Sequence, residues 1–239
     1  MAGGEIARAG ISVRLNTYAE AADILALDPN TVIVATGGLP AGARFEGAAL
    51  VRTGWEVLDG SLRPHGTVVI HDEVGTQAGA AAAERCLGRA ERTLYITPDE
   101  MPLAELGVTT RVVAMRRLLA GGVQFLPNSE VRRVEAEGNR RMVKIANTLT
   151  GATREETADL VLIEYGTLPL DEVFQNLRGA SSNDGMTGVG QVSEDRVEFP
   201  ELCKGGFRLA RIGDAVASRD LHAALLEARR LALSLPRGG

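Results

Sequence analysis

The chain has 239 residues, 45% apolar and 24% charged with 28 glycines, a mixture that fits a folded α/β protein of one large or two small domains. No apolar run reaches the about 18 residues of a membrane span, and Met1-Ala-Gly-Gly-Glu5 is not a basic-then-apolar signal start, so spanning and secretion are disfavoured and a cytoplasmic location is expected. A net charge of −5 with 4% aromatic residues supplies neither the charge footprint nor the stacking surface of a nucleic-acid binder, while Cys86 and Cys203, far apart and without a CxxC pairing, exclude a disulfide scaffold, a zinc site and a cysteine-ligated iron–sulfur cluster.

In chain order, Glu5–Ala9 reads as the end of a helix closed by Gly10, with no strand before it. Ile11–Leu15 alternates with period two and predicts a strand; Tyr18–Leu27 predicts a short helix. Thr31–Thr36 is rich in β-branched residues, as a strand covered on both faces should be, and stops at Gly37-Gly38-Leu39-Pro40. A βαβ pattern follows: strand Thr67–Ile70, a small-residue helix from Gln77 to Leu87, and strand Thr93–Thr97. Helix Thr110–Ala120 leads to strand Val123–Leu126. Extended stretches follow at Glu130–Glu135, Arg141–Asn147 and Leu160–Tyr165, the first two joined through Glu137-Gly138-Asn139 as a hairpin or meander. Ser181–Val192, rich in Ser, Gly, Asn and Asp, reads as a mobile surface loop. Strand Phe207–Ile212, the Gly213-Asp214-Ala215 segment, and a helix from Leu221 to Leu235 close the chain.

Two of these segments carry chemistry. A strand ending in Ala35-Thr36-Gly37-Gly38 offers bare backbone at the carboxyl edge of a parallel sheet, where nucleotides bind in open α/β folds; a tight turn is the competing reading. Gly213-Asp214, between an apolar strand and a long helix, combines close backbone approach with a carboxylate able to accept from a sugar hydroxyl, against the alternative that Asp214 caps the helix. Arg219 stands where it could fork onto a pyrophosphate, or simply be solvated. His71 is a weak candidate base and His222 a weak phosphate contact; Arg116-Arg117 reads as a solvated helix face. No catalytic constellation and no metal-ligand set stands out. The candidate cofactor-binding residues are therefore Thr36, Gly37, Gly38, Gly213, Asp214 and Arg219.

The ordering of ATGGxP early, GDA late and a βαβ unit between them resembles the carboxyl-terminal region of old-yellow-enzyme-like flavoproteins, most of all the dimethylglycine and N-methylproline demethylase branch, with trimethylamine dehydrogenase and 2,4-dienoyl-CoA reductase beside it. The likeness rests on Val32–Pro40, Val68–Glu73, Ala82–Glu84, Ile96–Pro98, Glu105–Gly107, Asn147–Gly151, Glu164–Pro169 and Arg211–Arg219. It implies an FAD/ADP-type domain, here partial, formed by residues 1–44 and 197–239, enclosing a Rossmann-like three-layer NAD(P)-type domain at 45–196. FAD or ADP would lie against Gly37, Gly38, Gly213 and Asp214. An FMN-bearing TIM barrel and an iron–sulfur cluster are expected only in a missing amino-terminal portion or a partner subunit.

The inserted domain departs from that pattern. A dinucleotide turn would have glycines near 71, 73 and 76, where this chain has His71, Glu73 and Thr76. Asp72 and Glu73 suit the dipole of the following helix but set negative charge where a pyrophosphate would land, a cost of roughly 1–4 kcal/mol per carboxylate at about 4 Å. The domain is therefore expected to be a degenerate nicotinamide module. The functional expectation is the carboxyl-terminal part or accessory subunit of a flavin-dependent, amine-demethylating oxidoreductase, without catalytic competence alone, with an electron-transfer flavoprotein or a second copy as candidate partners. Its alternatives are a non-catalytic docking module and an autonomous NAD(P)H-dependent reductase.

Overall fold

A computed structural model describes residues 2–189, 197–202 and 206–235. In chain order the first half contains α1 (Ala2–Arg8), α2 (Ala21–Leu25), β1 (Thr31–Val34), β2 (Gly38–Pro40), β3 (Arg52–Thr53), α3 (Gly54–Leu58), β4 (Thr67–Asp72), α4 (Gln77–Cys86), β5 (Arg92–Ile96) and α5 (Val108–Ala120). The second half contains β6 (Gln124–Leu126), β7 (Ser129–Glu137), β8 (Arg140–Asn147), β9 (Thr153–Ala158), β10 (Leu160–Glu164), β11 (Thr167–Pro169), α6 (Glu172–Leu177), β12 (Gly188–Val189), β13 (Val197–Glu198), β14 (Arg208–Arg211) and α7 (Leu221–Ser234). The described chain forms two compact units, one of residues 1–38 with 169–239, the other of residues 39–168. Residues 169–189 thus group with the chain termini, whereas the sequence alone put them in the enclosed part.

In the enclosed unit, strands run β3-β10-β4-β5-β6 in one parallel sheet. Both faces are covered, which is why β4 and β10 are buried almost end to end. On one face α4 lays Ala80, Ala83 and Cys86 against Val68, Ile70 and Leu162; small side chains allow the close approach. Cys86 is buried, and its thiol is pushed up to about 11 by that burial; Cys203 lies outside the described residues. The other face packs Val69, Leu94 and Val161 against Val131, Val143 and Ile145 of the antiparallel sheet β7-β8-β9. Helices, parallel sheet and antiparallel sheet make the three layers.

In the other unit β1 and β14 pair in parallel, and Val32, Val34 and Leu209 bury against Phe174 and Leu177 of α6. Among the described residues these two named strands have no further ladder. Two expectations need correction here. Ile11–Leu15 is not a strand: alternation makes one face apolar but supplies no partner edge, and Ile11, Val13 and Leu15 are exposed. The described part of Ser181–Val192 is not simply surface loop. Ser181 and Asn183 are fully buried, and the Asn183 amide donates to the Leu209 carbonyl at 2.8 Å and accepts from the Leu209 N–H at 2.9 Å, fastening the segment to β14. Among the described residues no helix is long and apolar enough to cross a membrane.

Candidate functional site

Because β1 and β14 are adjacent and parallel, with Val34 opposite Arg211, the segments that leave their carboxyl ends emerge at the same edge. Each contains a glycine in the left-handed region, Gly37 at φ +73° and Gly213 at φ +64°, a conformation costly for any residue with a Cβ. No atom lies within 4 Å of where a Cβ on Gly37 would stand, and only the Ala224 methyl, at 3.4 Å, approaches that place on Gly213. The bare backbone borders a cleft of about 390 Å³ lined by Ala35, Gly37, Gly213, Asp214, Arg219 and Ala224, among others. Four of the residues singled out from sequence, Gly37, Gly213, Asp214 and Arg219, therefore meet in one place. Thr36 and Gly38 do not line it: the Thr36 hydroxyl donates to the Leu170 carbonyl, and Gly38 opens β2. His222 is exposed and outside the lining.

The capping alternative for Asp214 does not hold. Asp220 caps α7, its Oδ1 accepting from the Ala223 N–H at 2.8 Å, while Asp214 Oδ1 accepts from the Arg219 N–H at 3.2 Å. One residue that sequence reasoning missed enters beside them. Glu227 lies three residues beyond Ala224 on the same face of α7. Its Oε2 accepts from the Gly213 N–H at 2.8 Å and its Oε1 from Arg219 Nη2 at 2.5 Å.

The enclosed unit has its own edge of strand ends, where β4 and β10 finish side by side. Asp72, fully buried, occupies the turn that would cradle a pyrophosphate: its Oδ1 accepts the N–H groups of Val74 and Gly75, each at 2.9 Å, and its Oδ2 accepts the Tyr95 hydroxyl. Gly79 of α4 makes room for it, since a Cβ there would stand 2.3 Å from Oδ2. Burial holds the Asp72 carboxyl above the usual carboxylate range, and burial with the adjacent Asp72 drives the Tyr95 hydroxyl up strongly. A nicotinamide dinucleotide needs those backbone donors, so the residues present do not fit one.

Glu164 stands across from Asp72 on the neighbouring strand. Its Oε2 is buried without a hydrogen-bond partner, and burial, then the Asp72 charge, raise the carboxyl to about 7. His71 points to the opposite face of the sheet, its Nδ1 2.7 Å from the Tyr165 hydroxyl and its Nε2 buried without a partner. Burial lowers this imidazole to about 4, which makes it a neutral packed group and not a base poised near neutrality. Arg117 is paired with Glu84 at 2.7 Å, and among the described residues no cluster of His, Cys, Asp or Glu is placed to hold a metal.

No protein-family model matches the chain. In sequence it is 35% identical over 229 residues to a probable N-methylproline demethylase of Rhizobium meliloti (strain 1021), covering 93% of this chain and 33% of that protein. It is 34% identical over 231 residues to a multifunctional alkene reductase/demethylase of Caballeronia cordobensis, covering 95% and 34%. An N,N-dimethylglycine/sarcosine dehydrogenase of Chromohalobacter salexigens is 30% identical, covering 95% and 35%. Among solved structures the fold is shared with 2-naphthoyl-CoA reductase (TM-score 0.76, 19% identity, 98% of this chain and 31% of that one). It is also shared with histamine dehydrogenase from Rhizobium sp. 4-9 (TM-score 0.72, 18% identity, 96% and 34%) and Lactococcus lactis thioredoxin reductase (TM-score 0.59, 18% identity, 85% and 64%). The chain spans about a third of the curated relatives it matches, and by sequence it is related over that third to the old-yellow-enzyme-like flavoproteins.

Proposed function

We propose that the unit of residues 1–38 and 169–239 binds the ADP portion of FAD, or ADP itself, as part of a flavin-dependent oxidoreductase of the amine-demethylating type. The observation that carries this reading is the meeting of Gly37, Gly213, Asp214 and Arg219 in one cleft at the carboxyl ends of two parallel strands. The glycines let backbone approach a phosphate, the Asp214 carboxylate can accept from a ribose or ribityl hydroxyl, and Arg219 can pair with a phosphate oxygen. A flavin held here would supply redox chemistry; this chain's residues would hold and orient it.

The demethylase names of the relatives support the reaction type. In this reading FMN, an iron–sulfur cluster and the amine pocket belong to a further part of the polypeptide or to a partner subunit, and electrons leave for a protein acceptor. Asp72 disfavours the alternative of an autonomous NAD(P)H-dependent reductase. The test is calorimetric titration with ADP. Saturable binding with a Kd of about 0.1–1 mM, equivalent to about 4–5.5 kcal/mol, weakened by Asp214→Asn, supports the assignment. Absence of binding, or binding indifferent to Asp214→Asn and Gly213→Val, refutes it.

A further inference from the structure

We propose that Glu227 is a built-in competitor for the phosphate-directed donors of the cleft, so that a diphosphate ligand binds only by displacing this carboxylate from Gly213 and Arg219. The inference rests on the ADP reading above and goes beyond it by naming the residue that sets affinity and selectivity. Two donors that could contact a phosphate are already in use: the Gly213 N–H and Arg219 Nη2 converge on the two oxygens of the one Glu227 carboxylate, at 2.8 Å and 2.5 Å.

The arrangement copies what a phosphate would do there, two donors of different kind on one anion. It is also readily reversed, because the Arg219–Glu227 pair is partly open to solvent, with side-chain exposures of 37% and 25%, and such pairs contribute little. The Gly213 N–H carries one proton and cannot serve two anions, and a phosphate drawn to the rest of the Arg219 guanidinium meets the Glu227 charge, so an incoming phosphate either expels Glu227 or is repelled by it. A ligand without phosphate brings no charge to either donor, only neutral acceptors whose hydrogen bonds are roughly half as strong. Glu227 therefore tunes the cleft against phosphorylated ligands specifically and leaves recognition of the nucleoside part untouched.

The experiment is titration calorimetry of the chain with ADP and, separately, with adenosine, for the wild type, Glu227→Gln, Glu227→Ala and the double variant Glu227→Gln/Arg219→Gln, each checked for native circular dichroism. Removing the competing charge should tighten ADP about tenfold, about 1.4 kcal/mol, in both single variants, leave adenosine unchanged, and lose the gain in the double variant. ADP affinity that is unchanged or weaker in Glu227→Gln, or an equal gain for adenosine, overturns the inference while the ADP reading stands. Failure of all forms to bind ADP overturns the ADP reading itself and this inference with it.

Discussion

Replacing Glu164 with Gln should reshape the pH dependence of stability of the enclosed unit. The wild-type carboxyl stands at about 7 in the fold against an ordinary 4.5, because its Oε2 is buried without a partner beside Asp72. At 1.36 kcal/mol per pH unit that displacement corresponds to roughly 3 kcal/mol. The sign follows from proton binding: between 4.5 and 7 the folded chain holds a proton that the unfolded chain releases, so this carboxyl's contribution is full below 4.5 and is lost as pH rises to 7. His71 acts oppositely, since a fold that lowers it from 6.5 to about 4 gains stability as pH rises through that window. The two slopes offset each other in the wild type. Gln, an uncharged near-isostere, removes one of them. Urea unfolding followed through Trp55, which neighbours Gly54 on α3, should show the stability of Glu164→Gln relative to wild type growing by roughly 3 kcal/mol from pH 4.5 to pH 8. A difference constant across that range would refute the buried, proton-holding role of Glu164.

Asn183→Ala should destabilise the unit containing β14 by about 2–4 kcal/mol, because the Leu209 N–H and carbonyl would both lose their partner; a thermal midpoint within a degree of wild type would contradict this. Gly79→Ala should cost about 1–3 kcal/mol by driving a methyl into Asp72 and Tyr95, and an unaltered unfolding curve would show that the turn is not packed as described. NADH and NADPH should give no calorimetric signal up to millimolar concentration; micromolar binding lost on enlarging residues 74–79 would reverse the assignment of Asp72. The two-strand ladder β1–β14 and exposed Ile33 should lead to self-association or capture of a partner strand, measured by light scattering, and a monomer with strong amide protection across residues 31–34 and 208–211 would argue otherwise.

Elements with both a period and a burial reason were legible from sequence. β4 and β10 carry the apolar runs that a strand covered on both faces requires, and α4 and α7 their small or apolar stripes; β1, expected to be covered on both faces, is buried on one only, with Ile33 exposed, and β14 buries just Leu209 and Ala210 between two arginines. Thr153–Ala158 was missed because its strand is largely exposed and charged, so its residues report solvent and not pairing. The opposite error at Ile11–Leu15 has the same root: pattern gives a face but not a neighbour. At the site, glycines and Asp214 announce themselves through spacing to strand ends. Glu227 does not, because an acid within a helix takes its meaning from what the fold brings opposite it. The lack of glycine at 71, 73 and 76 is visible in the sequence, yet only the folded turn shows the Asp72 carboxylate accepting its backbone N–H groups.

The central claim is that nucleotide meets the chain at Gly37 and Gly213–Arg219 and not at the Asp72 turn. Hydrogen–deuterium exchange of the chain with and without saturating ADP tests it directly. The account predicts slowed exchange over residues 35–38 and 212–224 with no change over 72–79; protection confined to 72–79, or absent from both segments while ADP is bound, would contradict it.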